Sequence, residues 1–287
     1  MHKRADVTRK RQHGGAVRIG LALGGGFARG IAHAGVLRVL EQHRIPIHCI
    51  TGISAGAVVA AAYASGATTD EIVRAGCSMS FGDVGRFSLG RLGLVGSERM
   101  NGFLKRLLKA YRFEDMRILL GVLATDLASG DAVRFSESGS VFEPIRASCA
   151  FPGLFQPVEY AGHLLVDGAM SMGVPAAMAR GFGATHVISV PLPPGVPRKM
   201  PSNMFQVVNR CFQILQSRFE DMWRGETDLV ITPDVRGVDW HAFGRGSELV
   251  EAGEAAALAA LPKIQEWLAR TPSRVAVGHP ALAAARA

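Results

Sequence analysis

Two consecutive units of apolar run, glycine turn and helical stripe constrain this chain more than any other feature. Residues 17–26, VRIGLALGGG, read as a short buried strand running into glycines. Residues 30–43, GIAHAGVLRVLEQH, set Ile31, Ala34, Leu37, Val39 and Leu40 on a mostly helical stripe. The pattern then repeats: IHCITG at 47–52 is a second short strand, and SAGAVVAAAYASG at 54–66 is helix-compatible and closed by Gly66. Strands joined through helices pair by crossovers, so the expected architecture is an α/β domain with a mainly parallel sheet.

Beyond residue 67 the alternation continues less regularly. Residues 68–115 carry a helical pattern broken by glycines, and 81–96 (FGDVGRFSLGRLGLVG) are long, apolar and loop-like. Packed burial is the simpler expectation for 81–96; otherwise Phe81, Phe87, Leu89, Leu92 and Leu94 make it a lid or a lipid-contact surface. Strands are expected at 118–127, 132–137, 184–192 and 227–235, with a hairpin return at 160–170 turning near Gly162. Helices are expected at 204–223 and 246–270. With no fixed-period repeat and no polar linker, residues 17–270 read as one domain.

Composition bounds the partners. At 287 residues and 48% hydrophobic, the chain can bury a large core. The net charge of +8 is unevenly distributed: over residues 1–18, Lys3, Arg4, Arg9, Lys10, Arg11 and Arg18 against Asp6 supply five of the eight charges. Residues 1–16 therefore form a basic arm, expected to be solvated or to sit on anionic lipid. They contain no apolar h-region, so no secretory signal is expected. Residues 271–287 read as a loose tail. No nucleic-acid partner is expected, for want of a binding motif or basic–aromatic interleaving. Of Cys49, Cys77, Cys149 and Cys211, three sit in apolar or small-residue surroundings, which predicts buried free thiols rather than zinc ligands or disulfides. No apolar run reaches the ~18 residues of a spanning helix. The expected placement is cytoplasmic, at most peripheral on a membrane; the oligomeric state is left open.

The first glycine turn invites a phosphate-binding reading. A dinucleotide fingerprint fails, because Gly25-Gly26-Phe27-Ala28-Arg29-Gly30 puts Phe27 where the second glycine belongs and no acid lies between Glu41 and Asp70. No Gly-Lys-Ser/Thr is present either. The same loop suits an oxyanion hole, since adjacent glycines leave backbone N–H groups free beside a helix N-terminus. The second turn, Gly52-Ile53-Ser54-Ala55-Gly56, stands between a strand and a helix, the setting of a nucleophile elbow. A plain serine N-cap is the simpler alternative.

An activated serine needs a base. Of the late histidines, His186 lies in an apolar strand and His279 in the tail, while His163 and His241 occupy turns without an accompanying motif. Asp167 is better placed, ending the apolar run HLLVD and followed by Gly168 and Ala169, which leave room for an approaching group.

With these motifs in order, the chain is similar to the patatin-like phospholipase family, in the bacterial branch that also resembles the neuropathy target esterases. Further segments share the likeness: ATDLASGDAVRF, IRASCAFPGLFQPV and SELVEAGEAAA, so that it runs from about 17 to 262. The resemblance implies a three-layer α/β/α domain and a lipid acyl hydrolase working through a serine–aspartate dyad, without metal or cofactor. Carried over, Ser54 is the nucleophile and Asp167 its base. Backbone N–H groups of Gly25, Gly26 and Phe27 form the oxyanion hole, supported by Gly24, Arg29, Gly30, Gly52, Gly56, Gly168 and Ala169. Two departures stand out: Phe27 replaces a frequent further glycine and would crowd or floor the acyl pocket, and Met172-Gly173-Val174-Pro175 replaces an Asn-x-Pro pattern. The implied substrates are phospholipids or lysophospholipids. Soluble acyl esters or thioesters, or a weakly active regulatory role on the same fold, are the alternatives. A carboxylate beside Leu164, Leu165 and Val166 is expected to have a raised pKa, matching it to a hydroxyl proton.

Overall fold

The computed structural model describes residues 16–193, 200–218 and 220–270. The basic arm up to residue 15, the tail from 271 with His279, and the side chain of Leu89 lie outside the described residues. In chain order the elements are β1 (Ile19–Leu23), α1 (Ala32–Gln42), β2 (Ile47–Gly52), α2 (Ala55–Ser65), α3 (Thr69–Ser78), α4 (Phe81–Val84), β3 (Arg86–Gly90), β4 (Gly93–Gly96) and α5 (Arg99–Leu107). There follow β5 (Leu119–Asp126), β6 (Ala132–Phe135), α6 (Phe142–Ser148), β7 (Val158–Tyr160), β8 (His163–Asp167), α7 (Ala176–Gly181) and β9 (His186–Val190). The last are α8 (Met204–Arg218), α9 (Glu220–Arg224), β10 (Leu229–Val230) and α10 (Gly246–Ala269).

The main sheet runs β10-β9-β1-β2-β5-β8-β7, with β6 also paired to β5. The β10, β9, β1, β2 and β5 ladders are parallel, as crossover helices demand, and β6, β8 and β7 are antiparallel. Alternation along β1 builds the layers. Ile19, Leu21 and Leu23 point into a core with α1, α2 and α10, while Ala22 packs on the opposite face with Ala176 and Ala179 of α7 and Trp223 of α9. The result is helix, sheet, helix.

One pairing detail positions the site. Strand β2 pairs with residues Leu119 to Val122 of β5, and β8 with Ala124 to Asp126. Strand β6 covers Val122 to Thr125, so it takes one edge of β5 and leaves β2 and β8 to share the other. Running in opposite directions, β2 and β8 meet end to end, with Gly52 opposite Val122 and Asp167 opposite Ala124. Two carboxyl-terminal strand ends thus converge over Leu123.

Three sequence expectations need correction. The segment 81–96 is a short helix followed by a two-stranded hairpin, and it is only partly packed away: Val84 and Val95 are buried and Phe81 packs against the core, while Phe87 is 76%, Leu92 64% and Leu94 47% exposed. Only two thiols are buried, Cys49 and Cys149, because Cys77 and Cys211 fall on outward helix faces. The expected strand at 227–235 shrinks to Leu229–Val230, since Pro233 has no N–H for a longer ladder. Among the described residues, no helix is long and apolar enough to cross a membrane.

Candidate active site

Ser54 follows β2 directly and stands at the head of α2 with φ 54° and ψ −127°, a conformation a residue with a Cβ rarely adopts. The glycines on either side make this turn sterically possible. A Cβ on Gly52 would lie 2.4 Å from the Gly56 carbonyl oxygen, and one on Gly56 would lie 2.5 Å from that of Leu23. The strain is held by hydrogen bonds on each side: Ile53 N–H donates to Leu23 O at 3.1 Å, and Ser54 N–H to Ser148 Oγ at 2.8 Å. Ser148 Oγ–H in turn donates to Leu123 O at 2.7 Å, tying the elbow to β5. Ser54 makes no side-chain cap bond to α2, which removes the N-cap explanation for a serine here.

Asp167 ends β8 and is buried to 1% exposure. Its Oδ1 accepts from Ala169 N–H at 2.9 Å, while Oδ2 is buried without a hydrogen-bond partner among the described residues. Burial pushes its pKa up to about 7, opposed by the Ala169 N–H and the nearby Ser54 hydroxyl. The serine is close enough to bear on both the Asp167 carboxyl and the Cys149 thiol, yet it closes no bond to the free Oδ2. Catalytic contacts commonly tighten only around substrate. Thr125 Oγ1 donates to the Asp167 main-chain oxygen at 3.0 Å, and a Cβ on Gly168 would lie 2.2 Å from Leu123 O.

Opposite the elbow, the loop from Gly24 to Phe27 offers three N–H groups, those of Gly25, Gly26 and Phe27, with no acceptor among the described residues. Phe27 takes φ 52°, the left-handed region where its side chain costs energy. Its ring is wedged edge-on to Trp240 (centroids 4.9 Å) and Phe151 (5.9 Å) and stacked on Phe155 (6.2 Å). Arg29 is buried and reaches back from Nε to Gly26 O at 3.4 Å. Burial lowers its pKa, and the charge of Asp239 opposes this. Gly30 allows the turn to lie on α2, where a Cβ would meet that of Ala55 at 2.4 Å.

A narrow apolar cavity opens beside Ser54 and runs between α2, α3 and α5. Val58, Val59, Ile72, Met100, Phe103 and Leu107 line it together with Phe27 and Phe155, and among the described residues no charged side chain does. The histidines weighed from sequence are engaged elsewhere. His163 Nδ1 bonds Asp126 Oδ2 at 2.7 Å, His186 lies against Trp267, and His241 against Trp240.

The structure therefore brings Asp167 and the glycine loop close to Ser54, and Ser54 and Phe27 open onto the apolar cavity. Ser148, Thr125 and the placement of Cys149 were not legible as site features. Ser148 sits in IRASCAFPG, a segment the family resemblance marks without saying what its serine does.

The family model for patatin-like phospholipases matches residues 21–180, more than half of the chain. The chain belongs to the patatin-like phospholipase family. An uncharacterized NTE family protein of Mycobacterium tuberculosis H37Rv is 35% identical over 178 residues, covering 61% of this chain and 49% of the relative. Patatin-like phospholipase domain-containing protein 6 of Mus musculus is 32% identical over 180 residues, 60% of this chain and 13% of that protein. The chain thus spans about half the length of its mycobacterial relative. In fold it is similar to the crystal structure of VipD from Legionella pneumophila, with a TM-score of 0.54 at 13% identity, covering 87% of this chain and 67% of that one. The family model takes in the glycine loop from Gly24, the Ser54 elbow and the Asp167 turn together.

Proposed function

We propose that this patatin-like chain is a serine acyl hydrolase that cleaves carboxylic esters of phospholipids or lysophospholipids. One observation carries the reading: a serine on a strained turn lies close to a buried aspartate with a free oxygen, and the serine itself lines an apolar cavity. Ser54 Oγ bonds to the acyl carbon as its proton passes to Asp167 Oδ2, and the carbonyl oxygen becomes an oxyanion held by N–H groups of the glycine loop. Collapse breaks the ester C–O bond, and the Asp167 proton goes to the leaving alcohol. Water then attacks the acyl-serine, Asp167 takes its proton, and that proton returns to Ser54 as the acid leaves. Reaction with a fluorophosphonate probe, followed by hydrolysis of phospholipid and lysophospholipid vesicles, tests the reading; a folded protein inert to both overturns it.

The cavity also bears on acyl length. Its wall residues Ala75, Met79, Phe103 and Leu107 equally line a second, charged cavity with Glu71, Arg74, Asp83, Arg106 and Lys109. Lys109 N–H bonds Ser65 Oγ at 3.0 Å, which puts that charged cavity near the far end of α2 from Ser54. An acyl chain long enough to reach the partition would have to enter a charged compartment. Met79→Ala, which thins the partition, should shift the optimum toward longer chains. Two further methylenes buried at about 0.8 kcal/mol each correspond to roughly a tenfold gain in kcat/KM. A series of p-nitrophenyl esters from butyrate to stearate reads this; an unchanged profile rejects the partition as the limit.

For access to lipid we assign the β3–β4 hairpin, where exposed Phe87 and Leu92 are flanked by Arg86 and Arg91, with no acidic residue between Asp83 and Glu98. Apolar side chains among uncompensated cations suit an anionic bilayer. Phe87→Asp with Leu92→Asp should reduce sedimentation with phosphatidylglycerol-containing vesicles at least about tenfold, two buried side chains each contributing about 1.5 kcal/mol or more. Equal sedimentation of the two proteins removes the hairpin from that role.

A further inference from the structure

The carbonyl of Gly24 is buried at the start of the glycine loop, and no backbone N–H among the described residues donates to it. It lies under the first turn of α2, where a Cβ on Gly56 would come within 2.6 Å of its oxygen. A side chain from α1 supplies the missing donor: His33 Nε2 stands 2.9 Å from Gly24 O. Because the partner is a carbonyl, Nε2 carries the proton and Nδ1 is a bare acceptor. That Nδ1 is buried with no hydrogen-bond partner among the described residues. His33 is 0% exposed, next to Ala32 and Ala34 and on the same helix as buried Val36 and Leu37.

An imidazole with one orphaned nitrogen is a costly way to fill an apolar helix face. The cost is explicable if the other nitrogen does something a leucine could not. Burial also holds the ring neutral, with its pKa pushed down to about 4, so one nitrogen is a donor and the other an acceptor near neutral pH.

The peptide unit is planar and trans, so fixing the Gly24 C=O fixes the Gly25 N–H in the opposite direction. That N–H has no acceptor among the described residues, and Gly25 lies against the elbow, where a Cβ would be 3.3 Å from Ser54 Cβ. Glycine on both sides leaves this peptide free to rotate. Gly24 N–H is held by Val190 O at 3.0 Å, but that bond belongs to the preceding peptide. We propose that His33 is a positioning residue: its Nε2–H clamps the Gly24–Gly25 peptide so that Gly25 N–H stays available to the substrate oxyanion. This rests on the acyl-hydrolase reading and adds to it a residue that touches neither substrate nor nucleophile.

The test compares His33→Leu, His33→Gln and His33→Asn. Gln carries its amide N–H to about the depth of Nε2, whereas Asn stops near Nδ1. Removing one oxyanion donor lowers kcat by about 10²- to 10³-fold. His33→Leu and His33→Asn should therefore lose about 10²-fold in kcat on a p-nitrophenyl ester, with KM within about twofold, and His33→Gln should recover most of it. The rising limb of the pH profile should stay where it is in wild type. A Leu or Asn variant with wild-type kcat, or a Gln variant no better than Asn, overturns the proposal. If His33→Leu does not fold, the Gln–Asn pair decides. Should wild type hydrolyse no ester, the acyl-hydrolase reading fails. Amide hydrogen exchange over residues 24–27 then decides on the clamp, which requires faster exchange in Asn than in Gln.

Discussion

Ser54→Ala is expected to abolish fluorophosphonate labelling and to lower kcat by on the order of 10⁴–10⁶-fold, the scale on which removal of a serine nucleophile acts in a preorganised site. The fold should survive. Ser54 gives α2 no side-chain cap, and the turn is held through its main-chain N–H by Ser148 and through Ile53 by Leu23. Alanine carries the same Cβ into the same φ of 54°, so it neither relieves nor adds strain. Thermal unfolding should therefore place the variant close to wild type while activity disappears. A Ser54→Ala protein that still hydrolyses substrate and takes up the probe would move the chemistry elsewhere.

Asp167→Asn should lower kcat by about 10²- to 10⁴-fold, the usual value of a general base, and should at the same time make the protein more stable at alkaline pH. Both effects follow from one environment. Burial pushes the carboxyl up to about 7, so the base is ionised only as pH rises through that value, and wild-type kcat/KM should climb on a limb centred near pH 7. Asn has no such limb. For stability, the folded chain keeps this proton up to about pH 7, while the unfolded chain releases it near 4. In that window the folded state binds one more proton, and stability falls as pH rises, by at most about 4 kcal/mol once both states are ionised. Asn escapes that loss, less the cost of leaving its buried amide N–H without a partner. The melting temperature of Asp167→Asn should exceed that of wild type at pH 8, with the difference gone below about pH 4. Equal pH dependence in the two proteins would mean that the carboxyl is solvated.

Much of the site was legible because it is local. An elbow demands small residues at fixed offsets from the serine, and backbone collisions within five residues decide that. The strand, glycine turn and helix sequence of 17–66 likewise follows from periodicity and from the steric freedom of glycine. The exposure of Phe87 and Leu92 was not legible, because an apolar glycine-rich run reads the same packed or unpacked; only the pairing of β3 with β4 turns it outward.

By itself, then, the sequence determined the strained serine turn, the glycine loop before it and a carboxylate at a strand end, each set by contacts between near neighbours. The tertiary structure decided what those parts do together. The shared edge of β5 brings Asp167 to Ser54 across more than a hundred residues, and burial there raises its pKa. The fold also puts His33 Nε2 on Gly24 O and Ser148 Oγ on Ser54 N–H. Hydrogen bonds and desolvation depend on which atoms meet in space, and nothing in the periodicity of α1 or α6 distinguishes these side chains from ordinary core residues.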